Sequence, residues 1–563
     1  MRHPAANRIR ALPLLAVATL LTAGPLRAQG PESDNRKNLR VTRYTMDVRI
    51  TEDFTAGLTL TVRATLALVA QANVGPSLRF GLAKKLTVDS GRWGTGEPAH
   101  VSKTGNSELM TVDAPHALQA GDTATLTLFY HGGGIDRFAN MFFIDPADDW
   151  YPANHEGPRT AAFDVTFHSP ARYPLISIGA LTDSSRAGNV LTTHWVTERP
   201  TPFATFNLGL FERYHAEDPG AYPVDVLFSQ EAHQAVRQLA AEEGFFLLEQ
   251  TQKPQHVADD VTNALKFFTY LFGPSPFSHF YVTEIPYPEG VSFPGLIDFS
   301  FETFQRTALD GFDEYFRAHE IAHQWWGNGV LPASHREWWL AEGFASFSGI
   351  WYVQAERKRS DEYFHFLDQY RSDIRDVGRD AGAIIDATKT TTEPGGHRVM
   401  IYEKGAWVLN MLRVLMLDLR TMSDDRFIAT LKDFYQTYNG TDASTENFQR
   451  VVEEHVGAPM DWFFDEWVRG TAIPTYHVAW TSEAQPDGRF RVRLRVRQEG
   501  VDSTFQMPVL VSADLGGGRT ARFRVNVRGG QAEYQSPLLP AQAQSVTFND
   551  LHGTLAEVRT ERW

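Results

Sequence analysis

Apolar residues recur at every second position in short runs between residues 40 and 213, at 44–50, 58–68, 123–130 and 162–168. Clusters of Gly, Asp, Asn and Pro separate the runs and no long helical period intervenes, so strands are expected here. Pro200 and Pro202, then Asp218-Pro219-Gly220, mark a break. Beyond it the pattern lengthens. Residues 230–252 and 257–272 read as helices, 280–285 and 295–299 as strands, and 361–377, 402–417, 424–438 and 445–456 again as helices. Near Gly470 and Pro474 strict alternation returns. Phe490, Val492, Leu494 and Val496 share one face, and the five arginines at 489, 491, 493, 495 and 497 share the other. Residues 521–527 repeat the style, which suits one sheet of a sandwich with a dry inner face. The arginine stripe reads as a solvated strand face more readily than as an anion site. The pattern as a whole predicts a multidomain α+β chain. A β-rich domain occupies 29–218, a mixed domain 219–470 and a C-terminal β-sandwich 471–563.

A chain of 563 residues exceeds what one hydrophobic core supports, which agrees with that division. Its formal charge of −15 argues against nucleic acid and anionic membranes as partners. The first residues read as a targeting segment. Arg2, Arg8 and Arg10 precede a short apolar stretch at 11–26, broken by Pro13 and Pro25, and Leu26-Arg27-Ala28 fits a cleavage site before Gln29. The stretch is too short for a good membrane span. A signal peptide at 1–28, export to a periplasm or the exterior, and no stable membrane insertion after cleavage are the expectations. The absence of cysteine is compatible with an oxidising compartment and rules out a thiolate metal site.

The chemistry concentrates at residues 319–323, His-Glu-Ile-Ala-His, followed after eighteen residues by Glu342. Positions i and i+4 share a helix face, so His319 and His323 can offer two imidazole nitrogens to one ion. Phe312, Tyr315, Phe316 and Ile321 carry a helical pattern through the motif, and Gly327 and Asn328 are expected to stop it. Glu342, in the first turns of a second helix-like run at 338–354, supplies a third ligand. Three protein ligands leave the fourth position of a tetrahedral Zn2+ open, as a catalytic site requires. Glu320 stands beside the pair as candidate general base. A metzincin is excluded, because Trp326 and Gly329 stand where that pattern needs Gly and His. His335 reads as a loop histidine. Glu337 is a candidate partner for a ligating histidine, with a surface carboxylate as the equal alternative.

The run HEIAHQWWGN at 319–328, WLAEGFA at 339–345 and Tyr402-Glu-Lys-Gly405 resemble the gluzincin metallopeptidases of the aminopeptidase N family. Trp150-Tyr151-Pro152, the run at 163–167, and Trp467 with Gly470 and Pro474 extend the resemblance over nearly the whole mature chain. It implies a β-saddle N-terminal domain, a thermolysin-like α/β catalytic domain and a C-terminal β-sandwich. It also implies one zinc per chain, peptide substrates, and Tyr402 as donor to the oxyanion. The family carries Gly-x-Met-Glu-Asn on an edge strand, whose glutamate binds the substrate's free amine. Here the matching segment runs 289–297 and places Ser292 at the glutamate's position, followed by Phe293, Pro294 and Gly295. These four are the candidate substrate-binding residues, and Glu289 or Glu302 is a candidate replacement for the missing acid. An aminopeptidase is therefore expected. The alternatives are a zinc endopeptidase or hydrolase of blocked or non-peptide substrates, and, more remotely, a non-catalytic peptide-binding module. Side-chain preference and oligomeric state are not legible in the residues.

Overall fold

The computed structural model describes residues 35–563 apart from 54–56, 146–147, 158, 219, 243–253, 287–289, 305–311, 359, 379–380 and 388–394. The expected signal peptide and Glu289 lie outside the described residues. The chain forms two compact units. One comprises the described residues up to Val41 and those of Val48–Asp136 and Ile144–Arg159. The other comprises Thr42–Asp47, Arg137–Phe143 and Thr160–Trp563.

In the first unit, strand Gly57–Ala70 shows why this stretch is β. Leu58, Leu60, Val62, Ala64, Leu66, Leu68 and Ala70 are buried in strict alternation. The strand pairs antiparallel with Thr123–Gly132 from Leu60↔Gly132 to Val69↔Thr123. A period of two puts the whole apolar set on one face, and that fixes the register.

The second unit opens with antiparallel strands Ala162–Pro170, Val190–Val196 and Ala180–Ala187. A five-stranded sheet follows. Its spatial order is Glu212–Ala216, Val224–Phe228, Phe280–Ile285, Leu296–Ser300 and Val291–Phe293, the last being an edge. The three middle strands run parallel. They are buried throughout, as parallel strands covered on both faces must be. The helices expected from the pattern are Gln230–Glu242, Pro254–Phe272, Ser360–Val377, Asp425–Tyr438 and Thr445–Val456. Trp325, Trp326, Trp339, Trp407 and Trp467 are fully buried in this core. Each such side chain contributes about 4 kcal/mol by the apolar area it removes from water.

Two expectations shift. The helix carrying the histidine motif spans Phe312–Ala322 and ends before Gly327. The N–H groups of Gln324 and Trp325 bond three residues back, to Ile321 and Ala322, so the last turn tightens and His323 sits in it. The helix expected from Tyr402 begins instead as a π-helical turn, Val399–Lys404, and runs into the α-helix Gly405–Met416.

The C-terminal strands form a four-stranded sheet and a three-stranded sheet. Val492, Leu494 and Val496 are buried, and the arginines face outward. Arg493 pairs with Glu483 and Glu533, and Arg497 with Glu561, so acids of neighbouring strands and of the C-terminal segment neutralise much of the stripe.

Candidate metal centre and active site

Two helices carry the donor set. His319 lies near the end of Phe312–Ala322, His323 in the turn after it, and Glu342 in the first turn of Trp339–Arg357. The Nε2 atoms of His319 and His323 are 3.2 Å apart. Glu342 Oε2 lies 3.2 Å from His323 Nε2 and 3.6 Å from His319 Nε2. Among the described residues this is the one group of three or more potential ligands whose atoms gather within 4.8 Å. Atoms ~2.0–2.1 Å from a tetrahedral zinc lie about 3.3 Å from one another, so the three separations match one face of that tetrahedron. The donor types fit as well: two imidazoles, one carboxylate and no thiol.

Burial opposes charge on all three groups. It prevails at His319, whose pKa is lowered. At His323 the Glu342 carboxylate overcomes burial and pushes the imidazole up to about 9. Glu342, despite burial, is held well below the usual carboxylate range by the two imidazoles. The pocket thus favours positive charge beside Glu342. Protons and a metal ion compete for the same nitrogens.

Each histidine is oriented through its other nitrogen. His323 Nδ1 donates to the Trp326 carbonyl at 2.9 Å. His319 Nδ1 lies 3.3 Å from Ser346 Oγ. Glu337 takes no part, which corrects that expectation. Its Oε2 accepts from Thr445 N and Oγ1 at 2.8 and 2.6 Å and anchors the start of helix Thr445–Val456. Ser346 went unnoticed in the sequence although it lies four residues past Glu342 on one helix, where side chains share a face.

Glu320 is 5% exposed. Gly290, entering the edge strand, makes room for it. A Cβ there would stand 2.8 Å from the Glu320 carboxyl carbon. The Tyr402 ring lies parallel to His319, with centroids 6.0 Å apart and planes 6° from each other. The π turn aims it, since one extra residue per turn rotates the following side chains. Gly343 lets the two segments meet, because a Cβ on it would lie 2.9 Å from the Gly405 Cα. Next to Tyr402, burial pushes Glu403 up to about 8 against the pull of Arg398, 2.8 Å away. Lys404, also buried, falls to about 7 and donates to the Gly470 carbonyl at 2.8 Å.

The candidate substrate residues have other work. Gln324 Nε2 donates to Ser292 Oγ at 2.6 Å and to the Phe293 carbonyl at 3.0 Å, and Gln324 Oε1 accepts from Gly295 N at 2.9 Å. Asn328 Nδ2 donates to the Ser292 carbonyl at 3.0 Å. Phe293, Pro294 and Gly295 are buried, and Pro294-Gly295 turns the chain into strand Leu296–Ser300. Only Val291 and Ser292 are half-buried. This clamp ties the edge hairpin to the histidine segment. The side chain of Glu302, like Glu289, lies outside what is described.

A parallel-centred sheet beside two helices that share a two-histidine, one-glutamate donor set defines a metallopeptidase-type centre. Residues 315–467 match the Peptidase family M1 domain. The chain thus carries, over that segment, a domain similar to those of the M1 peptidase family. It is similar to aminopeptidase M1-B of Oryza sativa subsp. japonica, 30% identical over 28% of this chain and 18% of that protein. Similarity to aminopeptidase A of Gloydius brevicauda is also 30%, over 29% of this chain and 16% of that protein. The match thus spans less than a fifth of the length of these relatives. In three dimensions the chain resembles the M1 zinc metallopeptidase from Deinococcus radiodurans. The TM-score is 0.62 at 19% identity, covering 78% of this chain and 96% of that one, and the likeness shows the fold. Among the described residues no helix is long and apolar enough to cross a membrane.

Proposed function

We propose that the chain is a zinc-dependent peptidase holding one zinc through His319, His323 and Glu342, and that it releases N-terminal residues from peptides. The observation that carries this reading is the triangle of donor atoms with Glu320 and Tyr402 beside it. When bound, zinc polarises the scissile carbonyl and lowers the pKa of water toward ~7. Glu320, the second residue of the motif, takes the proton of the attacking water and passes it to the leaving nitrogen. The Tyr402 hydroxyl donates to the oxygen on which negative charge develops. Strand Val291–Phe293 is an edge of its sheet, the place where an extended peptide can add as a further strand. The basic, apolar segment before Gln29 supports export to the periplasm or exterior, and a mature protein starting at Gln29 would bear this out.

One observation favours a second reading, hydrolysis of blocked or internal bonds. Ser292 stands where the family places its amine-binding glutamate, and its hydroxyl is engaged by Gln324. A buried carboxylate strongly disfavours substrates that lack the partner amine, and a serine imposes no such demand. Matched peptides with free and acetylated N-termini separate the two readings. The aminopeptidase predicts a large kcat/KM advantage for the free amine, and equal rates would leave the peptidase standing and remove the exopeptidase label. Glu320→Gln is expected to keep the zinc and lower kcat by roughly 10²–10⁴-fold. Retained turnover would assign the base elsewhere.

A further inference from the structure

We infer that Lys404 is a positioning residue: by binding the Gly470 carbonyl, it holds the π turn that sets Tyr402 beside His319. The inference rests on Tyr402 being the donor to the oxyanion. Lys404 closes the turn Val399–Lys404, two residues after Tyr402. It is 1% exposed, and its Nζ donates to the Gly470 carbonyl at 2.8 Å. Among the described residues no carboxylate pairs with it.

Such a lysine is a poor choice for stability alone. A buried amine with one neutral partner loses more hydration than a single bond returns. A methionine would fill a similar space with no strong polar group to satisfy. What the amine supplies, and methionine cannot, is a directed bond between segments 66 residues apart. The acceptor is held just as closely. Helix Asp461–Trp467 ends shortly before Gly470, and a Cβ on Gly470 would stand 2.5 Å from the Glu466 carbonyl oxygen and 2.9 Å from that of Asp465. Glycine lets the backbone fold back over the end of that helix and present its carbonyl to Lys404.

A π turn inserts one residue into the helical repeat and is uncommon because an ordinary α turn bonds better. It persists where its surroundings hold it. Arg398 and Glu403 pair at 2.8 Å across this one, five residues apart, which is the repeat of the turn itself. Gly343 admits the start of the following helix at Gly405, a contact that limits approach without pulling. Lys404 adds the pull, a directional bond to a helix end on the far side of the turn. Without it the turn is free to relax toward the α repeat, and Tyr402 rotates away from its place beside His319.

The test compares kcat and KM of the zinc-loaded full chain on the better cleaved of the free and acetylated peptides. Lys404→Met is expected to lower kcat about 10–100-fold, as a displacement of ~1 Å in a catalytic group does. KM and zinc content are expected within about 2-fold of the parent, which loss of structure alone would not produce. Gly470→Ala displaces the carbonyl and leaves Lys404 in place, and about a 10-fold loss with the same split is expected. It decides the matter should Lys404→Met fail to fold. In the Tyr402→Phe background Lys404→Met is expected to add less than about 2-fold, because it acts through the tyrosine. Unchanged kcat in folded Lys404→Met overturns the inference. So does a loss expressed as raised KM or lost zinc, or the full further loss in the Tyr402→Phe background. Tyr402→Phe alone separates this from the underlying reading: if it turns over like the parent, the assignment of the oxyanion donor has failed.

Discussion

Glu342 and Asp298 are both buried acids of the second unit, and burial leaves them in opposite states. Glu342 faces two imidazoles and is held well below the usual carboxylate range. Asp298, 2% exposed in strand Leu296–Ser300, meets neutral donors. Asn207 donates to its Oδ1 at 2.7 Å, and the Thr283 hydroxyl donates to the same oxygen. Burial pushes Asp298 up to about 7, and these two bonds pull it only part of the way back. The difference lies in the charge that a neighbour can carry. A buried acid beside groups able to turn positive is an ionised ligand in waiting. One beside an amide and a hydroxyl is a hydrogen-bonded strut that joins strands Phe206–Gly209, Phe280–Ile285 and Leu296–Ser300.

The comparison breaks most sharply at Glu342. Glu342→Ala is expected to lose zinc affinity by ~10²-fold or more, since one of three protein ligands disappears, and to lose turnover with it. Metal analysis after dialysis decides this; Asp298→Ala, by contrast, is expected to keep its zinc. Next comes Tyr402→Phe, which leaves the donor set whole. Its kcat is expected to fall by roughly 10²–10³-fold with zinc content and KM nearly unchanged, because the hydroxyl acts on charge that develops in the transition state. A large KM rise at constant kcat would make Tyr402 a ground-state contact instead.

Asp298→Asn sharpens the other half. The folded protein keeps a proton on Asp298 up to about pH 7, whereas the unfolded chain releases it near the ordinary carboxyl value. The contribution of Asp298 to stability is therefore complete below about pH 4 and is lost as pH rises through about 7. Relative to Asp298→Asn, the parent is expected to lose up to ~4 kcal/mol over that window, read by urea unfolding at stepped pH. Parallel pH curves would mean that Asp298 is ionised after all. The smallest effect is expected at Glu337→Gln. It weakens the anchor on Thr445 and costs about 1–2 kcal/mol in stability, with no change in zinc affinity. A drop in zinc affinity would return Glu337 to the metal centre.

Much of this contrast was readable along the chain at Glu342 and not at Asp298. The spacing of His319, His323 and Glu342 is a local, helical fact, and so is the placing of Glu320 beside them. The strands with a period of two and the helices with an apolar stripe were legible for the same reason. Asp298 gave no signal. In sequence it is one acid in an apolar strand, and its partners lie 15 and 91 residues away. Glu337 misled because its nearness to Glu342 in sequence says nothing about direction. Its carboxylate turns toward a helix start 108 residues on. The π turn at Tyr402 was likewise hidden, because it lies where two segments distant in sequence meet at Gly343 and Gly405.

By itself, then, the sequence determined the order of β-rich, mixed and sandwich regions, the donor residues and the candidate base. These follow from periodicity and short-range spacing, which the backbone geometry of helix and strand translates directly into shared faces. Tertiary structure alone decided which buried acid is charged, which groups orient the two histidines, and that Ser292 is bound to Gln324. Apart from the Trp326 carbonyl, three residues from His323, these outcomes are set by groups brought together from distant parts of the chain. Their effect depends on separations of a few ångströms in a low-dielectric interior, where the identity of one neighbour outweighs burial itself.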